Sequence, residues 1–588
     1  MRHTSPRQFI KAALLLTLLA AAGCRQTPRA DSSAGTPARE RVAGTRGGTI
    51  SVRLTSLPKT FNPLMVGDES SLLVCLYLLN SRLIDFDHDT QSYVSALAEQ
   101  WKTGADGRTV EMTLRDGAKF SDGSAMTSDD VLFTLRALYD ARTGSPLIRD
   151  AMMVGGRPVE ATATDARHLR LVFPEKVAAP ESYLVNLSVL PHRLLEEEFN
   201  QGKIGSAWDV ATDPQRIITC GPFVVDSIQP GERLRLRRNP HYWKRDRQGV
   251  QLPYLDGLTL EALSDANQTL LRLGQGAIDL ADRVRPSDFA ALQSSQGVNR
   301  ATDLGPGLST DHLWFNLNQG ARNGQPIVSP VRRAWFNDVR FRRAISHAID
   351  RESIARTVLR GLATPLYGFV SPGNRAWVAK DLPRTDYSLD RARALLQEAG
   401  FVLRASADAP ELSDGQGNRV EFTLLVQAEN ELRKQMATVI QQDLARLGIR
   451  MQIATLDAQG ITERWAKTFD YDAVLMGLTL TDPEPSSYLN FLRSDSATHH
   501  WFPGQTRPAT EWEAQVDKLI AAQAVESDLP KRQALFREIQ RIMAEQLPVI
   551  PIVARHIVSV AGTRIGNYRP DGIFPYSLWN VDELFVRH

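Results

Sequence analysis

Cysteine is nearly absent from this sequence, with three residues in 588, at positions 24, 75 and 220. No Cys-x-x-Cys pair occurs, so zinc-finger and related metal-binding spacings are excluded. Neither sign of charge is in excess. Lysine and arginine number 69 against 67 acidic residues, a formal net charge of +2, and the basic footprint of a nucleic-acid-binding protein is missing. Long apolar runs are missing too. The longest, about a dozen residues near the N-terminus, falls short of the roughly 20 needed to cross a bilayer. The motifs of exported hydrolases and nucleotide enzymes are also lacking. There is no Gly-x-Ser-x-Gly elbow, no His-Glu-x-x-His and no phosphate-cradling Gly-x4-Gly-Lys-Ser/Thr. Gly305-Pro306-Gly307 lacks the third glycine of a dinucleotide loop, Thr310 standing in its place.

What is present begins with an export signal. Arg2, Arg7 and Lys11 precede the short apolar core "AALLLTLLAAAG", which ends at Cys24. A charged start, a short apolar stretch and small residues before a break describe a segment removed on export. Residues 1–23 are therefore read as a signal peptide. Cys24 after Ala22-Gly23 resembles a bacterial lipobox, with Ala21 where such boxes most often carry Leu, and Cys24 is the expected lipidation site. Residues 24–46 are rich in Ser, Thr, Pro, Ala, Gly and Arg without apolar periodicity. They read as a disordered tether, with an r.m.s. span of roughly 25 Å. Cys75 sits in an apolar stretch and Cys220 before Gly221-Pro222; export permits a disulfide, but two buried free thiols are the favoured reading.

Helix and strand signals alternate through the body, a mixed α/β pattern. Ile50, Val52 and Leu54 alternate along a first strand. In "VEMTLRDGAKFSDGSAMTSDDVLFTL", Val110, Met112 and Leu114 mark a strand turned by Arg115-Asp116-Gly117. Lys119-Phe120 reads as a brief return strand, followed by a second turn at Asp122-Gly123. Thr127 with Asp130 makes a capping box for a helix whose inner stripe is Val131, Leu135 and Leu138. Further on, "CGPFVVDSIQPGERLRLRRNPHYW" is a hairpin around Pro230-Gly231. Gly400 caps the helix of "SLDRARALLQEAGF". Leu535, Ile539 and Ile542 mark one side of a helix stopped by Pro548.

Seven phrases in this order resemble the extracellular solute-binding proteins of the dipeptide, oligopeptide and nickel ABC importers. They run from "LAEQWKTGADGRTVEMTLRDGAKFSDGSAMTSDDVLFTL" through "CGPFVV", "ERLRLRRNPHYW", "PYLDGL", "FNDVRFRRAISHAIDRESI" and "RARALLQEAGF" to "LPVIPI". Together they cover nearly everything from Gly47 to the end. The resemblance implies a two-lobed periplasmic-binding-protein fold of the large peptide-binding type. Lobe I would comprise 47–81, a subdomain at 82–208, then 209–308 and 555–588; lobe II would be 309–554. It implies a receptor without enzymatic activity that captures a peptide-like solute between its lobes and delivers it to a membrane permease. The same scaffold binding a sugar or a metal chelate, or acting as a sensor, is the alternative. A monomer is expected, periplasmic or at the cell surface and lipid-anchored, with no nucleic-acid partner and no cofactor.

By the same resemblance, peptide-binding members carry Trp-x-x-Asp-Tyr-x-Glu/Asp-Pro in lobe II, the Asp pairing with the ligand's α-amino group. Here "GLTLTDPEPSSYLNF" corresponds. Leu478 takes the Trp position and Thr481 the Asp position, and Asp482 comes one residue late. Leu478, Thr479, Thr481 and Asp482 are therefore candidate ligand contacts. A hydroxyl cannot replace a carboxylate opposite an ammonium, so either Asp482 reaches the ligand or a free N-terminus is not read. The plainer reading of Asp482, ahead of Pro483, is a turn former. Asn62, Trp314, Asn316, Tyr367 and Trp377 are further candidates, each aromatic being more often core than ligand platform. His499-His500 has no metal-ligating company and reads as a solvent-exposed loop.

Overall fold

The structure is a computed structural model that describes residues 42–294, 299–404 and 410–587. The signal peptide, Cys24 and most of the tether lie outside the described residues. Among the described residues, no helix is long and apolar enough to cross a membrane.

One eleven-stranded sheet organises the body. Its strands in chain order are β1 (Thr49–Leu54), β2 (Phe223–Gln229), β3 (Arg233–Arg238), β4 (Gly257–Ala262), β5 (Leu280–Asp282), β6 (Asn299–Phe315), β7 (Ala363–Pro365), β8 (Glu421–Gln427), β9 (Arg450–Leu456), β10 (Ala473–Leu478) and β11 (Val549–Gly562). The spatial order is β9-β8-β10-β6-β11-β5-β1-β4-β3-β2, with β7 also on β11. Two strands, β6 and β11, run far longer than the rest and pair antiparallel from Asn299↔Gly562 to Trp314↔Val549. Their pairing is broken by register shifts between Asp303 and Pro306 and between Pro306 and Thr310. On one side of this break β11 joins β5, and on the other β6 joins β10.

The break separates two hydrophobic cores. The first is built from Ile50 to Leu280, with Ala561 and the C-terminal segment as far as Val586. The second is built from Leu313 to Val553. Two fold class features follow: a mixed α/β chain and two lobes joined by crossing strands. In each half the central strands are parallel, β1 with β4 and β8 with both β9 and β10. Parallel neighbours need crossover connections, and the helix Glu431–Ala445 supplies the one between β8 and β9. β1 shows the alternation read from its sequence, with Ile50, Val52 and Leu54 buried. Most of β11 is buried without alternation, as expected of a strand covered on both faces.

A separate four-stranded antiparallel sheet, in the order Ala98–Thr103, Thr109–Leu114, His168–Val172, Glu160–Ala163, belongs to the first half. Its helix Ser128–Tyr139 starts at Thr127 as the capping pattern predicts, and Val131, Leu135 and Leu138 are buried. Asp130 does more than close that box. Its carboxylate accepts the Thr127 N–H at 2.8 Å and also the His192 N–H, at 2.9 Å, at the start of the helix His192–Asn200. The turns at Gly117 and Gly123 take the left-handed conformation glycine allows.

Two local expectations are corrected. Lys119-Phe120 is no strand but a single bridge, Lys119↔Ala125, because the two turns leave too few residues between them to form a ladder. On the helix Leu529–Gln546 the buried stripe is Arg532, Phe536, Ile539, Gln540 and Met543, and Leu535 sits at its edge. Ile542 is buried as expected. Cys75 and Cys220 are buried free thiols.

At the junction of the halves Asp311, on β6, accepts from Arg433 Nε at 2.7 Å and from Arg555 on β11, Nε at 2.6 Å and Nη2 at 3.0 Å. Burial pushes the Asp311 carboxyl up, but the two guanidiniums outweigh it and hold it below the usual carboxylate range. Asp311→Ala strands two partly buried cations and should cost about 3 kcal/mol, read as a lower urea midpoint. Because the folded carboxyl is depressed, this contribution is present above about pH 4 and is lost as pH falls through the folded value. The variant and the parent should therefore converge in strong acid.

Candidate ligand-binding cleft

In open parallel sheets the crevice beyond the carboxyl ends of the strands receives ligands. β10 ends at Leu478, and the chain continues through exposed Thr479 and Thr481 into the space between the halves. There it turns at Asp482, whose Oδ1 accepts the Glu484 N–H at 2.8 Å, and enters the short helix Pro485–Tyr488. A cavity of about 520 Å³ opens at this point. Thr481, Asp482, Pro483 and Ser486 form one wall; Tyr77, Phe86, Tyr93, Tyr183 and Phe574, from the first half, form the facing wall.

The two halves are laced together around the cavity. Ala178 donates its N–H to the Ala524 carbonyl at 2.9 Å. Arg375 Nη2 donates to the His88 carbonyl at 3.1 Å, and Gln91 Nε2 to the Gly373 carbonyl at 3.3 Å. Gly373 has to be glycine here, since a Cβ would lie 2.2 Å from the Pro306 carbonyl oxygen of the break.

Charge in the cavity is one-sided. Asp482 is half-buried, and among the described residues no cation pairs with it. Burial pushes its carboxyl up to about 6, and the single Glu484 N–H only partly offsets this. The cationic lining residue Arg82 is already committed. It forms an ion pair with Asp85 and stacks over the Tyr77 ring at 4.2 Å. Behind the Asp482 turn, Glu484 and Arg532 form a buried ion pair, and Arg532 lies over the Trp377 ring at 5.0 Å. The arrangement presents an unneutralised carboxylate among aromatic rings, a site for an ammonium carried on an apolar body.

Of the residues singled out in the sequence, Thr481 and Asp482 meet in this cavity. Leu478 packs against the second core at the end of β10, and Thr479 is exposed just beyond it. The others lie outside the cavity lining. Trp314 is fully buried against Trp465 and His500. Asn316 donates to the Phe469 and Tyr471 carbonyls, both at 2.9 Å. Asn62 accepts the Leu64 N–H and donates to the Ile204 carbonyl at 2.7 Å, which ties a loop together. Tyr367 lies under Arg384, and Trp377 under Arg532 and against Phe536. The facing aromatics Tyr77, Tyr93, Tyr183 and Phe574 carried no local sequence signal, being scattered over some five hundred positions.

His499 and His500 are buried, not exposed in a polar loop. His500 packs its ring on Trp314 and Trp465 and against Phe491, and burial pulls its imidazole down to about 4. His499 faces the buried Glu513 carboxylate at 3.4 Å. An aromatic cluster, and not solvent, is what accepts them.

The sequence pattern of the family described as bacterial extracellular solute-binding proteins, family 5 Middle, matches residues 92–499, more than half the chain. A protein of Deinococcus radiodurans named a probable ABC transporter-binding protein is 28% identical over 537 residues, 87% of each chain. Among solved structures, the oligopeptide-binding protein AppA of Bacillus subtilis, in complex with a nonapeptide, superposes with a TM-score of 0.67 at 23% identity, covering 93% of this chain and all of that one. NikA of Brucella suis in complex with Fe(III)-EDTA superposes with a TM-score of 0.74 at 21% identity, covering 92% of this chain and all of that one.

The geometry of Asp482 yields a stability test. Asparagine keeps the oxygen that accepts the Glu484 N–H and removes the charge. Since burial raises the folded carboxyl, the empty protein loses stability as pH climbs from about 4, where the unfolded carboxyl ionises, to about 6, where the folded one does. Asp482→Asn should therefore raise the stability of the empty protein by about 1 kcal/mol at pH 7, after allowing for partial exposure. It should have no such effect at about pH 3, below both the unfolded and the folded value, and thermal melts at the two pH values read the difference.

Proposed function

The chain belongs to the bacterial extracellular solute-binding proteins of family 5, and we propose on that premise that its cavity captures a short peptide by the free amino terminus for an ABC-type permease. The observation that carries this reading is the unpaired Asp482 carboxylate set opposite tyrosine and phenylalanine rings. An α-ammonium group supplies the missing positive charge, and the first side chains of the peptide lie against the aromatic wall. Because the walls belong to different halves, a ligand touching both favours the closed arrangement by its differential affinity. A permease then distinguishes loaded from empty receptor by shape.

Supporting context comes from the relatives, one named for ABC transport and one solved with a nonapeptide bound. Catalysis has no place in the reading, since the relatives are binding proteins. The family is extracellular, which places the protein in the periplasm or at the cell surface. Lipidation at Cys24, with residues 24–46 as tether, and action as a monomer complete the proposal.

A second reading rests on Thr481, which stands at the position of the amine-pairing Asp of peptide binders. Under it, the ligand is a non-peptide solute. A polyanionic metal chelate fits poorly, because it would meet Asp482 without a free cation to balance it; an amine-bearing solute fits better.

Calorimetric titration of matched peptides with free and acetylated N-termini separates the two. Free-amine peptides should bind more tightly, weakening as pH falls below about 6 because the protonated carboxyl no longer attracts the ammonium. Asp482→Asn should lower their affinity about 10- to 100-fold and leave acetylated peptides unaffected. Equal binding of both peptide forms by the parent protein would overturn amine recognition and turn the search to non-peptide solutes.

A further inference from the structure

The short segment Ser371–Arg375 meets three separate parts of the molecule. The first is the break in the long ladder. Ser371 Oγ donates to the Gly307 carbonyl, and the Gly373 N–H donates to Ser371 Oγ at 3.1 Å. Backbone lies directly on backbone here. A Cβ on Gly373 would stand 2.2 Å from the Pro306 carbonyl oxygen, and a Cβ on Gly572, from the other half, 3.0 Å from the same atom. Pro306 is thus held between a glycine of each half.

The second part is the first half itself. The Gly373 carbonyl accepts from Gln91, and Arg375 donates to the His88 carbonyl. Both partners sit at the tip of the hairpin formed by Ile84–Asp87 and Ser92–Ser95. That tip is fixed in turn to the C-terminal segment. His88 Nδ1 lies 3.0 Å from an Asp571 oxygen, and Asp89 accepts from Arg569 at 2.6 Å. Asp571 precedes Gly572, so hairpin tip, C-terminal segment and break form one framework.

The third part is the turn that faces the large cavity. Asn374, fully buried, donates Nδ2 to the Pro483 carbonyl at 2.7 Å, one residue after Asp482. A buried carbonyl needs such a partner. The far side of the turn is held independently, Glu484 by Arg532 on the helix Leu529–Gln546. The same helix fastens the chain beyond the segment. Gln533 Nε2 donates to the Ala376 carbonyl at 2.9 Å, and Gln540 Nε2 to the Trp377 carbonyl at 2.8 Å. Asn62, by contrast, ties a loop within one half. The Asn374 amide joins the Asp482 turn to a segment that is seated on both halves.

We propose that Asn374 is a positioning residue that couples the Asp482 turn to the contact between the halves, so that the turn keeps its cavity-facing shape only while residues 371–375 are seated on the break and on the hairpin tip. Coupling of this kind is reciprocal: whatever settles the turn favours the seated segment. The inference rests on the proposed function only in taking the Asp482 turn as the ligand contact, and its test needs no ligand.

Hydrogen exchange of the empty protein, followed by mass spectrometry on peptides covering residues 479–490, reads the turn. The reporting amides are Glu484, bonded to Asp482 Oδ1, and Ser487, bonded to the Glu484 carbonyl. Gln91→Ala combined with Arg375→Ala removes the side-chain bonds between the segment and the first half and leaves the turn's own residues intact. This double variant should speed exchange in 479–490 about 5- to 10-fold, as should Asn374→Ala. Adding the double variant to Asn374→Ala should bring no further increase, because the link is already cut. Unchanged exchange in the double variant or in Asn374→Ala overturns the inference. So does a combined increase equal to the product of the separate ones, the mark of independent sites. Exchange in the helix Glu431–Ala445 must match the parent's in every variant, which separates local loosening from misfolding. Should Asn374→Ala lose that match, Asn374→Leu, similar in size and without the donor, takes its place. A negative result leaves the peptide reading standing, and failure of the peptide titration leaves this result readable.

Discussion

Everything in this molecule hangs on the antiparallel pairing of two long strands that is interrupted partway. β6 and β11 pair in register from Asn299 to Asp303 and from His312 to Trp314, and the register shifts three times between Asp303 and His312. Where the ladder is intact, each half of the sheet is extended by its own parallel strands and its own core. Where it is broken, few backbone bonds resist rotation, and a handful of residues can absorb a change of angle between lobes. The Asp311 cluster sits at the edge of this break and pins β6, β11 and the helix Glu431–Ala445 on the second side.

The position of the cavities follows from the same constraint. The loop after β10 reaches the crevice, and the loops after β1 and β5 line a cavity within the first half. The loops after β10 and β5 carry what strand interiors cannot: the Asp482 carboxylate, which among the described residues has no cation partner, and Arg283 at a positive φ. Burying an unpaired charge is costly, and the protein meets that cost at Asp482 with only one backbone N–H. A charge kept unneutralised in the empty protein is a charge kept for something that arrives later.

The scaffold roles found for several candidate residues show how local chemistry misleads. Asn62 and Asn316 are buried amides whose hydrogen bonds all go to backbone. Polar residues without a local structural job look functional in a sequence, although distant carbonyls can employ them fully. The His499-His500 pair shows the reverse, two polar residues accepted into an aromatic cluster assembled from β6, the segment around Trp465 and Phe491.

The sequence by itself determined the local elements: the alternation of β1, the capping box at Thr127, the glycine-closed turns and helices, and the family whose motifs span the body. These depend on residues within a turn or two of one another, and short-range sterics and hydrogen bonding decide them. The motif near Asp482 was legible on the same terms, as a turn and as a displaced carboxylate. Only the tertiary structure decided that, among the described residues, Asp482 has no cation beside it, that Arg82 is spent on Asp85, and that five aromatics from distant segments form one wall. Those facts depend on which side chains meet across hundreds of residues. Pairing or loneliness of a charge is a property of that meeting and is written in no single stretch of chain.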